Sequence, residues 1–251
     1  MVNTLVSIVM PLYNAERYVG RAIESVIAQT YPAWELIVVD DCSTDASVQV
    51  VRKYVDVDQR ICLVQNPTPS GGPTFPRNKA IGLAKGRFIA FLDSDDIWLP
   101  TKLEEQLPLF ADEDTWVVFS YYKKMDEDGH VHKRVVRSPA RLDYNKLLKG
   151  NSIGNLTAIY DTQKAGKHYF LRVGHEDYVY WLHILRQGGY AVNTQKVHGI
   201  YRLLCGSVSS NKLKAILWNW RIYYDIEGLG ILRALYCFSC YARFGLKKYL
   251  K

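Results

Sequence analysis

The sequence predicts an α/β fold: a mostly parallel sheet with helices on both faces and further helices at the C-terminal end. Apolar runs at residues 6–12, 35–39, 61–64 and 88–92 are continuous rather than alternating, as in strands covered on both faces. Helically spaced stretches separate these runs, which argues for parallel strands joined by right-handed crossovers. Two of the strands end in acid, at Asp40-Asp41 and at Asp93-Ser94-Asp95-Asp96. In open α/β sheets the ligand crevice lies at that carboxyl edge.

Taken in order, residues 6–12 form the first strand. Val19, Ala22, Ile23, Val26 and Ile27 then recur at helical spacing, and Tyr31-Pro32 ends that helix. After the second strand, Ser43, Thr44 and Asp45 offer helix caps before Val48, Val51 and Val55. Residues 66–76 hold four prolines and two glycines and are expected to be an irregular loop. Residues 77–84 read as a short helix stopped by Gly86, and a further helix is expected from Thr101 to about Phe110, with Asp96 and Pro100 at its start. Beyond it, 115–122 and 131–136 flank turn chemistry at 126–129 and predict a hairpin. Residues 156–160 read as a short strand. Tyr178, Trp181, Leu182 and Leu185 mark a helix opened by Glu176-Asp177 and stopped by Gly188-Gly189, and 191–203 are extended.

The chain has 251 residues, 48% of them hydrophobic, which suffices for one large domain. Its five cysteines are too few for a disulfide scaffold and lack a zinc pattern, so a reducing cytoplasm is expected. Cys237 and Cys240 read as small hydrophobes on a helix. Met1 to Thr4 carries no basic leader region, and no stretch is long and uncharged enough to span a bilayer. The net charge of +7 is concentrated: residues 211–251 hold eight basic against two acidic side chains, a net +6. A terminal excess points to an anionic surface rather than to nucleic acid.

The acidic strand ends have two readings. Clustered carboxylates bind Mg²⁺ or Mn²⁺ together with substrate phosphates, and they also cap helices. Glu176-Asp177 equally suits a helix N-terminus. There is no dinucleotide or P-loop glycine motif and no nucleophile elbow, and the six histidines have no ligand spacing.

A resemblance weighs between these readings. Ser7-Ile8-Val9-Met10-Pro11-Leu12-Tyr13-Asn14, Ser25-Val26, Gln29-Thr30-Tyr31-Pro32, 35–41 with Ser43-Thr44-Asp45, Arg77-Asn78-Lys79-Ala80 and 91–100 together resemble family 2 glycosyltransferases. The likeness resumes at Glu176-Asp177-Tyr178 and Trp181. It implies a GT-A fold, a nucleotide-sugar donor, a divalent metal (Mn²⁺ or Mg²⁺) and inversion at the anomeric carbon. By resemblance, Pro11, Tyr13 and Asn14 lie beside the nucleoside, and Asp41, with Asp40, accepts from the uracil of a UDP-sugar. Asp93 and Asp95 match the DxD motif, with Asp95 on the metal, Asp93 near the ribose and the metal's outer shell, and Ser94 in the donor site. Arg77 supports the donor region, Asp177 matches the catalytic base, and Glu176 positions the acceptor or its loop. Where members often carry a histidine after the last strand, this chain has Leu204.

The resemblance implies a catalytic domain over 1–210, with 1–110 as the nucleotide-sugar half and 111–210 as the acceptor half. Residues 211–251 read as basic amphipathic helices. Such helices either lie at a membrane interface or cover the sheet with their lysines in water. The first case implies a saccharide or lipid-linked acceptor at the inner membrane face, as in bacterial surface-polysaccharide assembly. A nucleotidyltransferase of similar fold and a non-catalytic basic membrane-binding module are the competing functions.

Overall fold

The computed structural model describes residues 4–204 and 212–249, with side chains left out at 212–215 and 244–249. The first half alternates as the periodicity requires: β1 (Val6–Leu12), α1 (Val19–Ile27), β2 (Trp34–Asp40), α2 (Ser47–Val55), β3 (Ile61–Gln65), α3 (Thr74–Leu83) and β4 (Phe88–Phe91). These four strands are parallel in the order β3-β2-β1-β4. Every residue of β1 is buried, because its alternate side chains enter different cores. Val9 packs with Ile37, Ile81 and Ile89, whereas Ile8 and Met10 pack with Ile23, Val26 and Val38.

The second half adds β5 (Ile97–Trp98), α4 (Lys102–Gln106), β6 (Thr115–Met125), β7 (Val131–Val136), β8 (Arg141–Leu142), α5 (Tyr144–Leu147), β9 (Ile159–Asp161), α6 (Thr162–Ala165), α7 (Glu176–Gln187) and β10 (Tyr190–Arg202). It extends the same sheet in the order β4-β9-β6-β10-β5, with the expected β6–β7 hairpin alongside. β9 is antiparallel to both β4 and β6. The chain closes with α8 (Lys212–Arg221), a π-helical turn (Ile222–Ile226) and α9 (Ile231–Tyr249).

Three expectations are corrected. The irregular loop ends sooner, because α3 begins at Thr74 and takes Pro76 into its first turn, where a missing N–H costs nothing. The helix after β4 is broken: β5 intervenes, α4 starts behind Thr101, and a 3₁₀ turn (Leu107–Ala111) containing Pro108 follows. Asp96 does not start that helix. It is buried, and its Oδ1 accepts from the backbone N–H of Arg202 at 2.9 Å. The strand placed at 156–160 is the shorter β9, preceded by a 3₁₀ turn (Asn155–Thr157).

An aromatic cluster fixes α7 beneath the end of β4. The Phe91 ring stands edge-on to Phe170, Tyr180 and Trp181 at 5.3, 5.4 and 5.8 Å. Each such pair contributes about 0.5–1.5 kcal/mol beyond its buried area. Phe91 lies two residues before Asp93, and Trp181 lies one helical turn after Asp177. This packing therefore brings both acidic groups to one edge.

The C-terminal helices are part of the fold. Ile222, Tyr223, Leu229, Ala234 and Cys237 join the core that contains Tyr178 and Trp181. The buried Glu227 carboxylate accepts from the Tyr144 hydroxyl at 2.7 Å and lies 3.6 Å from His183 Nε2 and from Arg186 Nη1. The outward face carries exposed Leu217, Leu232, Leu235 and Tyr236. Among the described residues no helix is long and apolar enough to cross a membrane. Residues 1–3, Asn211, Leu250 and Lys251 lie outside the described residues, as do the side chains of Lys212, Lys214, Lys247 and Lys248 counted in the basic tail.

Candidate active site

The loops after β1 and β2 are tied together. Pro11 is buried within β1, Tyr13 is exposed, and Asn14 adopts a left-handed conformation (φ 46°). In that conformation Asn14 Oδ1 accepts from Thr44 N at 2.8 Å, and its N–H donates to Ser43 Oγ at 3.0 Å. Asp40 ends β2 buried, with Oδ1 accepting from Ser43 N at 3.1 Å. Asp41 accepts from Asn66 Nδ2 at 2.8 Å, Ser70 N at 3.0 Å and Ser70 Oγ at 2.8 Å, and so pins the 66–73 loop. Burial alone would raise the Asp41 pKa, but these donors outweigh it and hold the carboxyl below its usual range.

At the end of β4 the carboxylates point to different partners. Asp93 Oδ1 accepts from Arg77 Nη2 at 2.7 Å, and Ser94 is buried beside it. Burial and the neighbouring charge of Asp93 push the Asp95 pKa up to about 6, and burial with Asp95 and Asp93 nearby pushes Asp96 up as well. Asp96 Oδ2 is buried without a hydrogen-bond partner among the described residues.

Arg77, on α3, joins the two acidic groups. It is 8% exposed, holds Asp93 at 2.7 Å and lies 3.6 Å from Glu176 Oε2. Burial would lower its pKa, but the charges of Asp93, Glu176 and Asp177 more than reverse this. Thr74, also on α3, donates to Glu176 Oε2 at 2.6 Å. Burial raises Glu176, opposed by Thr74 and Arg77. Asp177 Oδ2 accepts from Asn151 Nδ2 at 3.0 Å. Thus α3 bridges the end of β4 to the start of α7, and all the predicted acidic residues lie along one sheet edge.

Residues that sequence reasoning did not single out complete the site. Arg202 Nε donates to the Asp95 carbonyl at 2.9 Å, and its Nη1 donates to the carbonyls of Asp126 and Glu127 at 3.2 and 3.0 Å. It also stacks over Tyr18 at 4.6 Å. Arg202 therefore staples the acidic loop to the β6–β7 turn. Its position next to Tyr201 in the segment carrying Leu204 was the only available signal. Leu204 itself is half-buried, and residues 205–209 of that segment lie outside the described residues. Asn151, in an irregular stretch, gave no signal.

The entry to α7 is strained and braced. His175 takes φ 56°, a left-handed conformation that disfavours a side chain. Its ring stands edge-on to Trp218 of α8 at 5.5 Å. Trp218 lies so close to Gly174 that a Cβ there would come within 1.9 Å of the indole. Gly174→Ala is therefore expected to displace Trp218 and lower kcat at least tenfold. Retained circular dichroism and shifted tryptophan fluorescence would accompany that loss, and unchanged kcat would show that the brace is irrelevant.

The donors offered to a cation are hard carboxylate oxygens, and burial together with the neighbouring charge of Asp93 disfavours the charged form of Asp95. This suits Mg²⁺ or Mn²⁺. Among the described residues no three His, Cys, Asp or Glu side chains converge into a complete ligand set. Such an ion would need further oxygens, as a diphosphate provides.

Comparison with known proteins agrees with this geometry. The model of the family "Glycosyl transferase family 2" matches residues 7–172. The chain is 38% identical to the putative teichuronic acid biosynthesis glycosyltransferase TuaG of Bacillus subtilis, over 98% of each chain. It is 39% identical to the UDP-Glc:alpha-D-GlcNAc-diphosphoundecaprenol beta-1,3-glucosyltransferase WfgD of Escherichia coli, over 98% of this chain and 95% of that one. Among solved structures it superposes on S. aureus TarS 1-349 in complex with UDP-GlcNAc with TM-score 0.72 at 26% identity, covering 91% of this chain and 68% of that one. These relatives extend past residue 172 and so include α7. A non-catalytic basic module does not account for such matches, and a parallel acid-edged sheet continued by β9, β6 and β10 is the GT-A arrangement. The chain therefore belongs to glycosyltransferase family 2 and is a glycosyltransferase of the GT-A fold.

Proposed function

We propose that the protein is a metal-dependent, inverting enzyme. It moves a sugar from a UDP-sugar to a hydroxyl of a lipid-linked saccharide during bacterial surface-polysaccharide assembly. The observation that carries this is the Arg77 bridge, which sets the donor-side carboxylate Asp93 and the α7 acids Glu176-Asp177 on one edge. The names of WfgD and TuaG, and the UDP-GlcNAc bound by TarS, support the donor and acceptor classes. In this reading 1–110 bind the donor, 111–210 the acceptor, and residues 211–251, whose exposed side chains include Leu217, Leu232, Leu235, Arg221, Arg233 and Arg243, rest on the cytoplasmic face of the membrane.

Pro11, Tyr13 and Asn14 border the nucleoside, with Asp40 and Asp41 at the base and Asp93 and Ser94 at the ribose. Asp95, with Asp93 in the outer shell, would hold a divalent cation, which when bound neutralises charge on the diphosphate. Asp177 removes the proton from the acceptor hydroxyl. That oxygen attacks the anomeric carbon from the face opposite the diphosphate, the bond to the phosphate oxygen breaks, and UDP leaves with the electron pair. Glu176, held by Thr74 and Arg77, keeps the start of α7 in place. Attack opposite the leaving group inverts the anomeric centre.

Asp95→Asn is expected to abolish Mn²⁺-dependent UDP binding in calorimetric titrations. A parent protein whose UDP affinity is insensitive to EDTA would refute the metal requirement. NMR of the product linkage tests the stereochemistry, since retention would refute direct displacement.

A further inference from the structure

A cavity of about 320 Å³ opens beside α5, lined by Arg141, Lys146 and Lys149 together with Pro139, Leu142 and Gly150. Three cations line it and no carboxylate does. Asp143, the acid of this segment, is occupied in capping α5, accepting from Lys146 N at 2.7 Å. Arg141 stacks on Tyr190 at 3.7 Å, which leaves its in-plane N–H donors available to phosphate oxygens. Three cations at one cavity, none of them in an ion pair among the described residues, call for an anion.

The position of the cavity narrows the identity of that anion. Gly150 and Ser152 both line it and flank Asn151, the residue that donates to Asp177. The cavity and the proposed base are therefore separated by a single residue. On its other side, Lys149 lies over the Tyr236 ring of α9 at 5.9 Å, next to exposed Leu232 and Leu235. A basic cavity thus stands between the acceptor side of Asp177 and an apolar helix face.

The geometry points to this cavity as the subsite for the diphosphate of a lipid-diphosphate-linked acceptor sugar, its lipid chain leaving along α9. The inference rests on Asp177 as the acceptor-side base. One sugar ring then bridges the base to the cavity, with a ring hydroxyl at Asp177 and the anomeric diphosphate among Arg141, Lys146 and Lys149. Lys146 and Lys149 are both exposed, so their charges can be removed without opening the core.

The test compares two soluble acceptors carrying the same sugar, one on a short alkyl diphosphate and one as an uncharged alkyl glycoside, in the full-length K146Q/K149Q protein. The KM for the diphosphate acceptor is expected to rise about tenfold or more. The KM for UDP-sugar and turnover of the uncharged glycoside should stay at parental values. The same loss should appear as weaker calorimetric binding of the diphosphate acceptor in a D177N background, which needs no turnover. An equal rise for both acceptors, or no change for either, would overturn the proposal. So would loss of binding to phosphatidylglycerol vesicles with the diphosphate-acceptor KM intact, because the cavity would then serve membrane headgroups. Failure of the underlying reading looks different: D177N would continue transfer while K146Q/K149Q still discriminated between the acceptors.

Discussion

Asp177→Asn is expected to lower sugar transfer by about 10³-fold, near the middle of the range that a positioned general base contributes, while UDP-sugar binding is unchanged. Asparagine preserves shape and can still accept from Asn151, whose amide lies 3.0 Å from Asp177 Oδ2, so the fold should survive. What is lost is the ability to take a proton. Glu176 is held elsewhere, its Oε2 accepting from Thr74 at 2.6 Å and lying 3.6 Å from Arg77. Steady-state transfer assays with calorimetric UDP-sugar titrations would decide the matter. Parental turnover in the variant would remove Asp177 from the chemistry.

Arg77→Met is expected to be the most damaging single change outside the proposed base. The guanidinium is 8% exposed, stacks over Phe170 at 5.3 Å and holds the carboxylates of both acidic groups. Removing one partner of a fully buried ion pair costs about 3–5 kcal/mol. The Asp93 and Glu176 side chains remain 29% and 25% exposed, so the loss should fall nearer 2–3 kcal/mol. Urea denaturation with an unchanged m-value would read that loss, and donor affinity should fall with it. Arg77→Lys should recover only part, since an ammonium cannot span both carboxylates as a planar fork does. Full recovery by lysine would show that charge alone is sufficient.

The brace at Gly174 bears on the tail. Trp218, Tyr223 and Glu227 all contact α7 or the turn before it, Tyr223 through a hydroxyl pair with Tyr178 at 3.2 Å. The C-terminal helices therefore cover the core with one face and carry exposed leucines on the other. Of the two alternatives that the amphipathic pattern left open, these contacts bear out packing onto the protein, and the membrane interface belongs to the proposed function. Helical periodicity registers the apolar stripe without stating which part of it meets protein.

The sequence by itself determined the parallel half of the sheet, because strands buried on both faces are written as uninterrupted apolar runs and their crossovers as helical periodicity. It also determined the chemical inventory of the edge, Asp40-Asp41, Asp93 to Asp96 and Glu176-Asp177. Only the tertiary structure decided how that inventory is shared. β9 is three residues long, too short to carry a period, yet its antiparallel insertion between β4 and β6 sets the spacing of the two halves. Asp96 had the local pattern of a helix start, but a non-local partner, Arg202, claimed it. Arg77 was marked by the family resemblance alone, and its bridge between Asp93 and Glu176 arises because α3, β4 and α7 meet. Local propensity is a property of neighbours in the chain. A site is a property of neighbours in space, and here these are the aromatic rings around Phe91 that bring Asp93 and Asp177 to one edge.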